Sequence, residues 1–271
     1  MKIRGEKMKN ITPEIAELAG IFAADGSMQR EHICFWGNIT EDKDYYDNII
    51  RKLFSIAFDI QINPHEKKSN FVYGFYICKK EIIKYFNEVL GFPIGSKTYS
   101  VRVPKIILES ENQKIWSSFI RGFSDGDGNL NFDKRYGKNY QEILKIIHTY
   151  PRIHLKSVSS DLIKDISILL ERLRIKHTIH EIPSKKINEK NAFVIQIKGK
   201  KRLEEWMKTI GFNNPVQQTR YEIFKKHGFV PVNVSLSKRR EILEEKINPW
   251  DFYPQWARSL DWIGRQDTLF R

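Results

Sequence analysis

The sequence predicts an α+β protein built from two pseudo-symmetric αββαββα units. Three observations carry this. First, "LAGIFAADGS" (Leu18 to Ser27) and "IRGFSDGDGN" (Ile120 to Asn129) share one pattern. Ala16, Gly20 and Ala24 are small residues four apart, and so are Ser118, Gly122 and Gly126, displaced by 102 positions. Asp25 and Asp127, and Gly26 and Gly128, share that displacement. Second, "YFNEVLGFP" (Tyr85 to Pro93) is echoed by "EWMKTIGFN" (Glu205 to Asn213) at a displacement of 120, so the second copy carries 18 more residues. Third, helical and strand periodicities follow one another in the same order in both copies. A repeat of about 100 residues is too long for a solenoid and fits two fused units. The predicted boundaries are 1–108 and 109–228, with 229–271 as an added C-terminal segment.

The elements follow in order. Pro13 suits the first turn of a helix, and Ile15, Leu18, Ala19 and Phe22 give that helix an apolar stripe. "HICFWGN" alternates as a strand. Asp42 to Phe58 reads as an amphipathic helix. "FVYGFYICKK" alternates again after the turn-like "KKSN", and Lys80 to Leu90 reads as a helix ended by Gly91. The second copy gives helix Gln113 to Asp125, strand "RIHLKSV", helix Ser160 to Leu173, strands "HTIHEI" and "NAFVIQIKG", and helix Lys201 to Ile210. Strand positions within Asn129 to Ile147 are the least marked.

The bulk numbers narrow the partners. The 271 residues fit two domains of ordinary size, and 41% hydrophobic residues can bury real cores. A formal net charge of +13 favours a polyanion as partner. No apolar run approaches the roughly 18 residues of a membrane span, and "MKIRGEKMKN" lacks the apolar core of a secretory signal. The expectation is an intracellular protein of cytoplasm or nucleoid. Cys34 and Cys78 form no C-x-x-C pair, which disfavours a disulfide framework or a cysteine zinc site. His177 and His180 lack partners at zinc spacing.

The small-residue helices have a chemical consequence. Side chains four apart share one helix face, and a face of Ala, Gly and Ser lets another backbone come close. If the two helices pack side by side, Asp25 and Asp127 meet at one end. Two carboxylates 4 Å apart repel by about 4 kcal/mol at an effective dielectric near 20. The helix C-termini add partial negative charge, and the Ala24 and Gly126 carbonyls point the same way. Glycine after each acid can take the left-handed geometry that stops a helix. A divalent cation resolves this repulsion, and Mg²⁺ suits few carboxylates with room for water and phosphate. "DGDGNLNFDKRY" is not a calcium loop, since Leu130 stands where glycine is needed and Tyr136 where glutamate is needed.

"LAGIFAADG" and "IRGFSDGDG" resemble the two motifs of the LAGLIDADG homing endonucleases in their single-chain form. "GFPIGSKTYSVRVPKIILES" before the second motif is similar to the corresponding segment of archaeal and intein-type members. The resemblance implies two saddle-shaped antiparallel sheets over duplex DNA, with the motif helices at the domain interface. It implies a monomeric, intron-encoded or intein-derived nuclease that cuts across the minor groove of a long site and leaves short 3′ overhangs. Asp25 and Asp127 become the catalytic metal ligands, helped by the carbonyls of Ala24 and Gly126. Mg²⁺ is the implied cofactor, with Mn²⁺ or Ca²⁺ as substitutes in binding. Lys97 falls where the family places a basic residue supporting attack or transition-state charge. Gln217 is its match in the second copy, and a neutral amide there implies unequal cutting of the strands unless a neighbour such as Arg220 compensates. Ala23 stands where an acid is common, and Asn38 and Ser157 fall near water-organising positions. The alternatives are an intron RNA maturase or a non-cleaving DNA-binding protein on the same fold. The ends of the chain carry no splice-junction nucleophile, which favours a free-standing product.

Alternation marks the candidate DNA-reading faces, since a β-ribbon fits the major groove. In the second copy these are Arg152, His154 and Lys156, with Gln196 and Lys198 on the neighbouring strand; in the first they are His32, Trp36 and Asn38. Beyond Gly228, "LSKRREILEEKI" reads as a charged helix. The Trp-rich tail after it reads as a strap on the second domain, with Arg258, Arg265 and Arg271 as alternative DNA contacts.

Overall fold

The structure, a computed structural model, describes residues 10–184 and 190–258. The first unit opens with α1 (Pro13–Asp25), β1 (Gly26–Met28) and β2 (Ile33–Asn38). One continuous helical run follows, made of α2 (Lys43–Tyr45), a π-helical stretch (Tyr46–Ile50) and α3 (Arg51–Phe58). Then come β3 (His65–Lys67), β4 (Val72–Ile77) and α4 (Lys80–Lys84), which a second π-helical stretch (Tyr85–Val89) extends. A connecting segment holds the short α5 (Lys105–Leu108). The second unit runs α6 (Gln113–Asp127), β5 (Gly128–Asp133), β6 (Tyr150–Ser157), α7 (Ser160–Arg172), β7 (Thr178–Ile182), β8 (Ala192–Lys198) and α8 (Lys200–Thr209), followed by α9 (Pro215–His227). The last segment carries α10 (Leu236–Leu243), a 3₁₀ turn (Pro249–Phe252) and α11 (Gln255–Arg258).

The predicted αββαββα order is present twice. Each unit has a four-stranded antiparallel sheet, ordered β1-β2-β4-β3 and β5-β6-β8-β7. Much of the extra length in the second unit lies between its first two strands: residues 134–149 there, against 29–32 in the first. Strand alternation sets the packing. Phe35 faces the core opposite Phe75, with ring centroids 5.3 Å apart, while Leu155 pairs with Ile195 in the second sheet. Phe22 of α1 closes the first core, its ring centroid 4.6 Å from that of Phe92.

Local chemistry starts the two motif helices. Thr12 Oγ1 accepts from Ile15 N, with Pro13 in the first turn, and Asn112 Oδ1 accepts from Lys114 N. Their ends differ from expectation. Gly26 and Gly128 are extended, at φ −74° and −92°, and not left-handed. Each helix passes directly into the first strand of its sheet, so the chain straightens where it would otherwise reverse. Glycine is still needed for room. A Cβ on Gly26 would lie 2.2 Å from the Phe22 ring, and one on Gly128 would lie 2.4 Å from the Ser124 carbonyl.

The connecting segment is laid down firmly. Val101, Val103 and Ile107 are buried. Arg102 donates two bonds to Asp165 of α7, at 3.1 and 3.0 Å. The final segment straps the second unit as predicted, with Phe229, Trp250 and Tyr253 packed over Ile143, Leu144 and Ile147. It also reaches the first unit, where Arg239 donates to Glu41 and Arg240 pairs with Asp44. Its charged helix ends at Leu243, before the predicted Ile247. Arg265, Arg271 and Trp262 lie outside the described residues, as do the first nine residues and the side chain of Arg258. Among the described residues, no helix is long and apolar enough to cross a membrane.

Candidate active site

The site is made by the contact of α1 with α6. A Cβ on Gly20 would lie 2.1 Å from the carbonyl oxygen of Phe119, and one on Gly122 would lie 2.1 Å from that of Glu17. Real Cβ atoms do not approach so closely, so each helix presses backbone into the other's glycine. The close approach carries through to the last turn. A Cβ on Gly126 would stand 2.7 Å from both Ala24 Cβ and Asp25 Oδ2. The carboxylate of one motif thus leans on the helix end of the other.

Electrostatics follows from this crowding. Burial, then repulsion from Asp127 and from Asp42, lifts the Asp25 pKa from 3.8 to about 7. Burial raises Asp127 as well, and Lys97 opposes that rise. Lys97 Nζ donates to the carbonyls of Ala23 at 2.7 Å and Ala24 at 3.0 Å. Burial lowers its pKa, against the pull of Asp127 and then Asp25. The Ala24 carbonyl, expected to face a metal, therefore accepts from this ammonium. A cavity of about 320 Å³ lies beside it, lined by Asp127, Lys97, Lys156 and Ser157 among others. These donors fit a hard divalent cation. They are two carboxylates, the half-buried Asp25 raised by its neighbour Asp127, with helix-end carbonyls, and a protein ammonium already sits among them. Among the described residues, no group of three or more His, Cys, Asp or Glu side chains is placed to hold a metal.

The second copy is built differently. Gln217, placed by sequence as the match of Lys97, is 5% exposed and committed to strand β5. Its Oε1 accepts from Leu130 N at 2.9 Å and its Nε2 donates to the Gly128 carbonyl at 3.3 Å. The amide completes backbone hydrogen bonding at the start of β5 where a backbone bridge, Met28 to Gly95, does so in the first unit. Arg220 donates to Asn129 Oδ1 and to the Leu130 carbonyl, again along β5. The charges acting on Asp25 are Asp127, Asp42 and Lys97, so Arg220 does not replace the missing lysine there.

Sequence reading missed a buried polar network behind the acids. Arg121 Nη2 donates to Glu17 Oε2 across the helix pair at 2.5 Å, and Asn213 Nδ2 donates to Glu17 Oε1 at 2.5 Å. Asp125 Oδ2 accepts from Asn213 N at 2.9 Å. Asn214 Nδ2 then links the Asp125 carbonyl to Asp42 of the first unit. The available signal was Glu17 itself, a charge in an otherwise apolar helix run. Asp125 is only 3% exposed, and burial leads in lifting its pKa from 3.8 to about 8. The folded state thus keeps a proton that the unfolded chain loses, and stability falls as pH rises from about 4 to about 8. Asp125→Asn removes this loss. The variant is expected to exceed the parent by about 1–3 kcal/mol at pH 9 in chelator, with the gap closing at pH 5. Urea unfolding at both pH values measures it.

The structure brings the second copy's DNA-facing candidates together. Arg152 pairs across strands with Lys198, and His154 with Gln196. Arg152 also forms an ion pair with Asp133, which ties back part of its charge. Lys156 is exposed and lines the cavity at Asp127. In the first unit Trp36 lies over Gly74 and edge-on to His65, so it is half-buried under its neighbours. His32 is half-buried just before β2. Asn38 is exposed, yet its Oδ1 accepts from Thr40 N and Glu41 N and holds the turn. Ser157 Oγ accepts from Ser159 N. Both ring nitrogens of His177 are engaged, with Ser167 Oγ and the Ile175 carbonyl.

A LAGLIDADG-like domain model matches residues 117–211. Among curated proteins, the chain is 24% identical over 243 residues to a probable translation initiation factor IF-2 of Methanocaldococcus jannaschii, covering 88% of this chain and 19% of that one. It is 23% identical over 235 residues to a glutamine–fructose-6-phosphate aminotransferase of the same organism, covering 85% of this chain and 19% of that one. It is 26% identical over 201 residues to the RNA polymerase subunit Rpo1C of that organism, covering 72% and 19%. The chain thus spans about a fifth of the length of these relatives. Among solved structures, the homing endonuclease I-DmoI in complex with DNA and Ca superposes with a TM-score of 0.51 at 17% identity, covering 74% of this chain and 91% of that one. Mesophilic variants of I-DmoI give 0.50 at 15% identity, covering 74% and 92%. That likeness is one of fold, two α+β units with four-stranded antiparallel sheets. The chain thus carries a LAGLIDADG-like domain over residues 117–211, and the repeated motif with its glycine-mediated helix contact extends the likeness to the first unit.

Proposed function

We propose that the protein is a site-specific, divalent-metal-dependent endonuclease acting on duplex DNA. The carrying observation is the pair Asp25 and Asp127, one from each unit, at the shared end of α1 and α6 with Lys97 beside them. The net charge of +13 and the basic strand pairs on β6 and β8 support a nucleic-acid partner. The I-DmoI structures, determined with target DNA and Mn or with DNA and Ca, support the same reading. So do the three relatives: one segment shared by proteins of unrelated function suits a mobile insertion.

The residues have distinct tasks. Asp25 and Asp127 would hold the cation, with helix-end carbonyls nearby. That cation would supply positive charge against the scissile phosphate and favour ionised water at neutral pH. Lys97 offers an ammonium to charge developing on the phosphate near Asp127. Lys156 stands at the mouth of the same cavity to hold the phosphodiester. Asp42 acts on Asp25, and the amide of Gln217 is committed to β5, so no second lysine matches Lys97. The two strands are therefore cut at unequal rates.

The test uses a duplex selected by binding from a randomised library and placed in a supercoiled plasmid. With Mg²⁺ or Mn²⁺, nicked circles are expected to build up before linear product, and the mapped ends to carry short 3′ overhangs. Affinity should fall steeply with salt, as counterion release requires. A duplex that is bound but never cut in either metal would leave only the non-cleaving reading, and salt-independent affinity would remove DNA as the partner.

A further inference from the structure

A second basic cavity, of about 520 Å³, lies where the final segment bridges the two units. Its polar lining includes Glu41, Asn131, Arg220, Asn233, Ser235 and Arg239. Arg239 is only 3% exposed, and its Nε has no hydrogen-bond partner. Arg220 is half-buried and held in place by Asn129 and the Leu130 carbonyl. Glu41 is the one carboxylate in the lining, and only Arg239 pairs with it. Glu41 Oε2 accepts from Arg239 Nη2 at 3.1 Å, and Oε1 accepts from Leu236 N at 3.3 Å, at the start of α10. Glu41 thus presents its oxygens to a guanidinium and a helix N-terminus, the donor set that recognises oxyanions.

We propose that this cavity is an oxyanion site that takes a phosphate group, with Glu41 as its resting occupant. The buried Arg239 and the half-buried Arg220 line one cavity with a single carboxylate, which leaves uncompensated positive charge that is costly without a further anion. Burial and then the neighbouring Arg220 push the Arg239 pKa down to about 10, the direction such crowding gives. The fork of a guanidinium matches two phosphate oxygens at once. Asn131 and Ser235 add neutral donors at the wall. The cavity is separate from that at Asp127, and only the question of whose phosphate it takes rests on the nuclease reading.

The experiment follows thermal unfolding of the full chain against inorganic phosphate, with chloride added to hold ionic strength constant. Glu41→Gln removes the competing carboxylate, and its phosphate affinity should rise roughly tenfold over the parent. Arg220→Gln should lose a similar factor, and Arg220→Lys should regain little, because an ammonium lacks the fork. A purely structural ion pair predicts no such opposition: equal phosphate response in the parent and both Gln variants, or weaker binding in Glu41→Gln, overturns the proposal. The source of the phosphate is read separately from duplex binding. If it belongs to the DNA backbone, Arg220→Gln lowers the salt slope of affinity by about one. If the slope is unchanged, the site serves a free phosphate. A protein that binds no DNA at all would still give the first readout.

Discussion

Gly122→Val is expected to destabilise the protein by about 3 kcal/mol or more, at the upper end of overpacking effects. A Cβ at this position meets the Glu17 carbonyl at 2.1 Å and the Ile21 amide nitrogen at 3.0 Å. Both are backbone atoms of α1, so no rotamer change can make room. The helices must part, and parting them opens the Arg121–Glu17 pair and moves Asp127 away from Asp25. Gly20→Ala meets the mirrored obstacle at Phe119. By contrast, a Cβ on Gly91 meets nothing within 4 Å. The strain of Gly91→Ala is therefore confined to its backbone, at φ +73°, and typically costs about 1–2 kcal/mol. Urea unfolding of the three variants orders them. A Gly122→Val protein as stable as the parent would show that the helices are not held at this spacing.

Asp25→Asn and Asp127→Asn are each expected to lower double-strand cleavage by at least about 10³-fold, equivalent to about 4 kcal/mol of barrier. The amide keeps the shape of the carboxylate and removes the charge that would hold the cation. The two variants should still bind DNA, because neither acid lies on the basic strand face. They should differ in what remains. Lys97 acts on both acids, but it shares its cavity with Asp127. Asp25→Asn is therefore expected to leave more residual nicking than Asp127→Asn. Full activity in either variant removes that acid from the mechanism.

Much of the fold was legible because the chain states it twice. Small residues four apart, an acid and a glycine recur at a fixed displacement, and helix and strand periods follow in the same order. The helix ends were misread at one level. Gly26 and Gly128 were expected to be left-handed, yet both are extended, because a strand follows at once and the glycine serves space rather than φ. The length added to the second unit was countable, but its place between β5 and β6 was not, since residues 134–149 carry no clear period.

The candidate site was legible in part. Asp25, Asp127 and Lys97 come together as their motifs implied. Gln217 could be aligned with Lys97 by counting, but its actual partners, Leu130 and Gly128, are 87 and 89 residues away and nothing local marks them. Glu41 and Arg239 are 198 residues apart and meet only because the final segment crosses back to the first unit.

By itself the sequence determined which residues repeat, and hence the two-unit α+β plan, the small helix faces and one acid at the end of each. Those are properties of period and size, which local order carries. Only the tertiary structure decided that the two acids meet where both have raised pKa values, that one unit supplies a lysine while the other uses its matched amide on a strand, and that Arg239 and Arg220 come together at a cavity with one carboxylate. Those depend on distances between segments far apart in the chain, where dielectric and charge act through space and leave no mark in residue spacing.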